Sequence, residues 1–274
     1  MSLSDRSAGA FVVVAMLSCS IPAAAADRAE AVDRTSLRVC ADPALPPSST
    51  LDGKGYENQI AELFAHDLGV PVAYTWFPSG IGFYRRTLMA RRCDLVMGTV
   101  VGIDIAQTTI PYYRSTYVLV TRAADRVAAS SLDDPALAQL RLGVQSASPA
   151  ADVLAQSGRL ENIRSYVLTQ DSGAVVAGRL MIDDLAAKRI DAAVVWGPIG
   201  GYFASLQPGV FTVTPLTARP GQAGFAFDIG MAVRFGEPKW RARVEQFIRD
   251  RREPIREILL ASHVPLLPLA EARP

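Results

Sequence analysis

A chain of 274 residues, half of them hydrophobic, is long enough to bury a large core in one domain or in two lobes of ordinary size. Its 28 Lys plus Arg stand against 27 Asp plus Glu, so it has no basic field to hold nucleic acid and no acidic excess for cationic partners. His66 and His263 are the only histidines and have no Cys or second His at ligand spacing, which excludes a zinc site built on them.

The first residues follow the order of an export signal. Arg6 supplies the positive end, Ala10 to Leu17 the apolar core, and Ile21-Pro22-Ala23-Ala24-Ala25-Ala26 the small residues ahead of Asp27. Residues 1–26 are expected to be removed, leaving the mature protein in the periplasm. The apolar run is far short of the roughly 20 residues that span a bilayer. Met16-Leu17-Ser18-Cys19 also resembles a lipoprotein cleavage box, so a lipid anchor at Cys19 is the alternative. Cleavage after the alanines would leave Cys40 and Cys93, an even pair in an oxidising compartment. Both a disulfide and two buried thiols stay open, because neighbouring parallel strands can hold Cα atoms beyond the ~7 Å limit of a bridge.

From there the pattern alternates strand and helix. Leu37 to Ala41 reads as a short apolar strand, and the Pro-, Ser- and Gly-rich stretch Pro43 to Gly55 as a rim loop. Ile60, Leu63, Phe64 and Leu68 share one helical face over Gln59–Leu68, and Gly69 stands at the C-terminal cap. Val72–Phe77 is a predicted strand, Phe83–Arg92 a helix, Asp94–Met97 a strand and Tyr112–Thr121 a longer strand. A polar passage, Ala123 to Asp134, is expected to cross into a second series: strand Leu140–Val144, a helix capped at Ser148-Pro149, strand Ser165–Leu168, helix Val175–Lys188 and strand Ala192–Trp196. Phe211–Leu216 returns, Phe227–Val233 adds a strand, and Trp240, Val244, Phe247 and Ile248 give the buried face of a terminal helix. This grammar predicts an α/β fold of two lobes, residues 35–120 plus 218–265 and residues 121–217, each a mostly parallel sheet flanked by helices.

Open α/β sheets bind ligands beyond the carboxyl ends of their strands. Asp42, Tyr56, Glu57, Trp76, Phe77, Gly98, Thr99, Tyr112 and Tyr113 fall there in the first lobe, and Ser146, Ser148, Trp196, Gly197, Pro198 and Tyr202 in the second. Tyr and Trp join a large apolar body to a polar tip and suit a cleft wall, although core packing explains any single one of them equally well. Ser146 and Ser148 precede a helix, whose N–H groups attract anions; capping alone accounts for Ser148. The pairs Asp133-Asp134 and Asp183-Asp184 lack the spaced oxygens of a calcium loop and read as solvated faces. No nucleophile elbow, phosphate loop or dinucleotide fingerprint occurs, and no cofactor is expected.

The chain resembles the extracellular solute-binding proteins of family 3, the amino-acid-binding type, over nearly all of residues 37–262. The resemblance rests on Leu-Arg-Val-Cys-Ala-Asp-Pro, Gly-Tyr-Glu-Asn-Gln-Ile-Ala-Glu-Leu, Tyr-Thr-Trp-Phe-Pro, Arg-Cys-Asp-Leu-Val-Met-Gly, Thr-Thr-Ile-Pro-Tyr-Tyr-Arg-Ser-Thr-Tyr-Val and Val-Val-Trp-Gly-Pro-Ile-Gly-Gly-Tyr. More narrowly, these motifs are similar to the branch associated with periplasmic quinoprotein methanol dehydrogenases, the methanol oxidation system J proteins. It implies the type II periplasmic binding protein fold. Amino-acid receptors of this type clamp the ligand carboxylate with an arginine shortly before the Pro-Tyr segment, yet Val101 to Gln107 contains none. They hold the ammonium with an acidic residue where this chain has Trp196-Gly197-Pro198. A zwitterion would leave its charges unpaired, at a cost of roughly several kcal/mol.

The resemblance therefore implies a non-enzymatic accessory of a quinoprotein alcohol dehydrogenase or its cytochrome partner, with a protein segment or an apolar ligand in the cleft. The alternative is a receptor that delivers a small solute, not a standard α-amino acid, to a membrane permease. A dehydratase on the same fold would need a basic residue and a general acid in the cleft, for which only Arg114 and Glu57 offer themselves.

Overall fold

The computed structural model describes residues 30, 32–33, 35–158, 161–167, 173–219 and 224–269, without the side chains of 173–176. The expected export signal, Cys19 and Leu168 lie outside the described residues. Strand β1 (Leu37–Ala41) leads through a small hairpin, β2 (Ala44–Leu45) and β3 (Ser49–Thr50), into helix α1 (Tyr56–Leu68). There follow β4 (Val72–Trp76), the short helix α2 (Phe83–Arg86), β5 (Leu95–Val100) and the 16-residue β6 (Gln107–Arg122). The second series comprises β7 (Leu142–Gln145), α3 (Pro149–Gln156), β8 (Ile163–Tyr166), α4 (Gly173–Ala186), β9 (Ala192–Trp196), α5 (Gly197–Ser205) and β10 (Phe211–Pro215). Strand β11 (Ala226–Val233) and helices α6 (Pro238–Asp250) and α7 (Arg252–Ala261) close the chain. Among the described residues no helix is long and apolar enough to cross a membrane.

Helix α1 forms for the reason its spacing predicts: Ile60, Ala61, Phe64 and Ala65 are buried on one face, and Gly69 ends it in the left-handed region at φ 69°. It starts three residues earlier than its apolar pattern, because the carbonyls of Pro47 and Ser48 accept the N–H groups of Tyr56 and Glu57, which no preceding turn would satisfy. Phe64 stacks on Trp240 and Phe247 with ring centroids 5.7 and 4.3 Å away, fixing α6 over α1. Burying side chains of this size stabilises by about 1.5–3 kcal/mol each.

One nine-stranded sheet runs in the order β4-β1-β5-β11-β6-β9-β7-β8, with β10 on β6. Strand β1 is parallel to β4 and β5, and β7 is parallel to β8 and β9. Strands β6 and β11 run antiparallel to their neighbours. The long β6 changes partners midway: Gln107 to Thr116 pair with β11, whereas Tyr117 to Arg122 pair with β9 and β10. This change comes ahead of the Ala123–Asp134 passage, which forms short turns. Pro111 is tolerated in β6 because the register with β11 shifts there, leaving a bulge in which no ladder donor is needed.

The predicted helix over Phe83–Arg92 is cut to its first four residues. Arg91 takes φ 57° and Arg92 donates its N–H to Thr87, so the chain turns rather than winds. The buried Arg234 guanidinium pulls the turn inward through the carbonyls of Leu88 and Cys93 while pairing with Asp94 and Glu237. A disulfide joins Cys40 in β1 to Cys93, with Cα atoms 5.5 Å apart, inside the range a bridge requires.

Candidate functional site

The carboxyl ends of β1 and β5 meet the amino end of α1, and β6 lies beside them through β11. Most of the first-lobe candidates gather here. Asp42, buried at the end of β1, is occupied: its Oδ1 accepts from Ala44 N–H at 2.8 Å and its Oδ2 from Ser79 N–H at 2.5 Å, tying together the two rim loops. Tyr56 is 1% exposed, and its hydroxyl meets those of Ser48 at 2.9 Å and Tyr113 at 3.0 Å. Tyr112 is also buried, but its hydroxyl has no partner.

Glu57, in the first turn of α1, lies between these tyrosines and Gly98 of β5. A methyl group on Gly98 would overlap its Oε1, so the carboxylate rests directly on the β5 backbone. No hydrogen bond or ion pair reaches the carboxylate among the described residues. Desolvation, together with the charge of Asp42, pushes its pKa up to about 7. Glu57 is nevertheless part-exposed. On the far side the Tyr84 hydroxyl donates to Thr99 Oγ1 at 2.7 Å. Phe77 stands apart from this group, packed near Phe83 at 6.5 Å and under the Arg86 guanidinium at 5.8 Å, within the cluster that holds the disulfide.

The second-lobe candidates divide differently. Ser148 is 2% exposed and is a cap: its Oγ accepts from Ala151 N–H at 3.2 Å and donates to the Gln145 carbonyl at 2.7 Å. Ser146 donates its N–H to the Tyr166 carbonyl. Trp196 contacts Tyr117 and Phe227 edge-on, at 5.6 and 5.9 Å, and touches three of the core clusters, so it packs the junction where β6 changes partners. Gly197 and Pro198 are buried at the start of α5, and Tyr202 is part-buried beside Phe203.

One cavity lies away from these residues and a second borders Tyr112 and Tyr113. The first, of about 410 Å³, is lined by Arg38, Asp94, Trp240 and Arg243 near the amino end of β1. The other, of about 340 Å³, lies between Tyr113, Arg252, Arg256 and Leu267. No group of three or more His, Cys, Asp or Glu side chains able to hold a metal occurs among the described residues. Arg114, the remaining basic candidate near the cleft, is paired with Asp228 at 2.9 Å.

No family model matches the chain. The periplasmic binding protein XoxJ from Methylobacterium extorquens AM1 superimposes with a TM-score of 0.71 and 34% identity, over 85% of this chain and 100% of that one. The chain belongs to the MoxJ/XoxJ family of periplasmic binding proteins. MoxJ of Methylorubrum extorquens is 28% identical over 252 residues, 87% of this chain and 84% of that protein. An ancestral cationic amino acid solute-binding protein shares the fold at 18% identity and a TM-score of 0.67, over 84% of this chain and 96% of that one. The fold is that of the type II binding proteins, a mostly parallel sheet flanked by helices.

Within this MoxJ/XoxJ member, Asp42 follows β1, Tyr56 and Glu57 open α1, Gly98 lies in β5, and Tyr112 and Tyr113 lie inside β6; the contact between Glu57 and Gly98 is tertiary. Tyr84 was missed. Its local signal was an aromatic two residues beyond a glycine pair, in a segment expected to be an ordinary helix.

Proposed function

We propose that this protein is a periplasmic, non-enzymatic accessory of a quinoprotein methanol or alcohol dehydrogenase system, with two lobes hinged about the middle of β6. Its cleft, open at the carboxyl ends of β1, β5 and β9, receives a protein segment or an apolar ligand. The observation that carries the reading is the 34% identity to XoxJ over that protein's full length. It is supported by the lack of an arginine between Val101 and Gln107 and by the engagement of Arg114 with Asp228, which leave an α-amino acid's carboxylate without a cationic clamp. The same pairing of Arg114 disfavours a dehydratase.

Lobe closure follows only if the ligand binds the closed form better than the open one. The test is capture by the tagged mature protein from the periplasm of alcohol-grown cells, followed by assay of the purified dehydrogenase with and without it. Recovery of the dehydrogenase with altered activity is the expected result. Recovery of no protein, with a small molecule carried through purification, would instead favour the permease-linked receptor.

A further inference from the structure

We propose that the first-lobe wall of the cleft, formed by Glu57, Tyr84, Tyr112 and the bare backbone of Gly98, is a binding site for a primary ammonium group. The inference rests on the reading of the cleft as the binding surface and names the chemistry that it takes.

A part-buried carboxylate pressed against backbone gains from donors or a counter-charge. Glu57 has neither among the described residues, whereas Asp42, the neighbouring carboxylate whose charge acts on it, accepts two backbone N–H groups. Tyr112 supplies a second unpartnered polar group, its hydroxyl buried without an acceptor or donor. The two are linked through Tyr113, whose ring lies 4.9 Å from that of Tyr112 and whose hydroxyl meets that of Tyr56, the residue before Glu57, at 3.0 Å. The titratable groups facing Glu57 are Asp42 from β1, Tyr56 from α1, Tyr74 from β4, Tyr84 from α2, and Tyr112 and Tyr113 from β6. None is cationic.

An ammonium group matches this set. It offers three donors to a carboxylate and to hydroxyl oxygens, and it gains from the π faces of surrounding tyrosines. A divalent metal matches poorly, because no group of three or more His, Cys, Asp or Glu side chains gathers among the described residues and hard cations need six or more oxygen ligands. A neutral apolar ligand would leave the carboxylate as it is. Gly98 is the shape determinant: any side chain there would push Glu57 off the β5 backbone.

The probe is n-butylammonium, with n-butanol as its neutral counterpart, titrated calorimetrically into the purified protein. Butylammonium is expected to bind at about pH 8, with affinity about tenfold lower at about pH 6 as the carboxylate takes up its proton. Glu57→Gln should weaken it at least tenfold at about pH 8 and abolish the pH dependence, while still melting in one cooperative transition. Gly98→Ala should weaken it as well. Equal binding of butanol, unchanged affinity in Glu57→Gln, or no heat up to about 10 mM amine would overturn the proposal. Two sources can present the group, a free alkylamine or a lysine side chain of the dehydrogenase. Loss of dehydrogenase capture on acetylating its lysines, with competition by butylammonium, identifies the lysine; capture indifferent to both identifies the free amine. Absence of capture with intact butylammonium binding would sink the accessory role and leave the ammonium site standing.

Discussion

At the scale of single residues, Glu57 couples the cleft to the stability of the whole chain. Burial and Asp42 raise its folded-state pKa to about 7, against an ordinary value of 4.5. The folded protein therefore holds this proton more tightly than the unfolded chain, so the contribution is fully present below about pH 4.5 and is lost as pH rises through about 7. The shift corresponds to roughly 3 kcal/mol, reduced to about 2 kcal/mol by the group's remaining contact with solvent. Glu57→Gln removes the linkage, so urea unfolding of wild type and variant should diverge by about 2 kcal/mol between about pH 5 and pH 8, with the variant the more stable at the higher pH. Parallel profiles would show that the carboxylate is well solvated. The motif Gly55-Tyr56-Glu57 was legible as a cleft rim, but the lack of donors around Glu57 was not, because it depends on Gly98 and Tyr112 arriving from other strands. Conversely, Ser148 has a local reason for its position, a helix cap, which sequence alone could already supply, whereas Asp42 joins its local turn at Ala44 to the distant Ser79.

At the scale of elements, α1 and most strands were readable because their apolar residues match their burial, whereas β8 starts two residues ahead of the expected Ser165 and the β2–β3 hairpin falls inside the expected rim loop. Helix α5 was not, since Gly197-Pro198-Ile199-Gly200-Gly201 has the composition of a loop. Its glycines serve close packing instead. A methyl group on Gly197 would meet the Thr116 carbonyl oxygen at 2.4 Å, and one on Gly201 would meet the His263 carbonyl oxygen at 2.1 Å. On an exposed helix Gly→Ala stabilises by up to about 1 kcal/mol. Here the sign reverses, because backbone atoms cannot swing aside as a side chain can. Gly201→Ala should cost about 2–3 kcal/mol in denaturant unfolding by forcing α5 away from the segment after α7. A neutral or stabilising effect would mean that this segment yields freely and does not hold α5. The over-long reading of α2 has a comparable cause: Arg234, from the far end of the chain, claims the carbonyls of Leu88 and Cys93.

At the scale of the whole molecule, two βα series returning to one sheet were evident from the order of elements, while the parts that join them were not. The sequence places a crossing in a polar passage; ahead of that passage β6 runs from β11 to β9 and β10 without a break, with Trp196, Tyr117 and Phe227 packed at the change of partner, and the proposed hinge lies there. A further connection is the segment after α7. It lies along the same part of β6: Ser115 Oγ donates to the Pro265 carbonyl at 2.7 Å, and Leu267 N–H donates to the Arg114 carbonyl at 2.9 Å. Each such bond contributes about 0.5–1.5 kcal/mol, so together they restrain the junction without being needed by either core. Ending the chain after Val264 should leave both sets of helices folded but raise local opening at the junction about tenfold or more. Hydrogen exchange measures this directly. The amides of Tyr117 and Leu216, bonded to Phe225 and Tyr117 across the junction, should exchange faster, while those of Ile60 to Phe64 in α1 keep their protection. Uniform acceleration throughout would make the segment a general stabiliser, and unchanged exchange at Tyr117 would remove it from the proposed hinge; only a local effect fits a strap across the change of partner in β6.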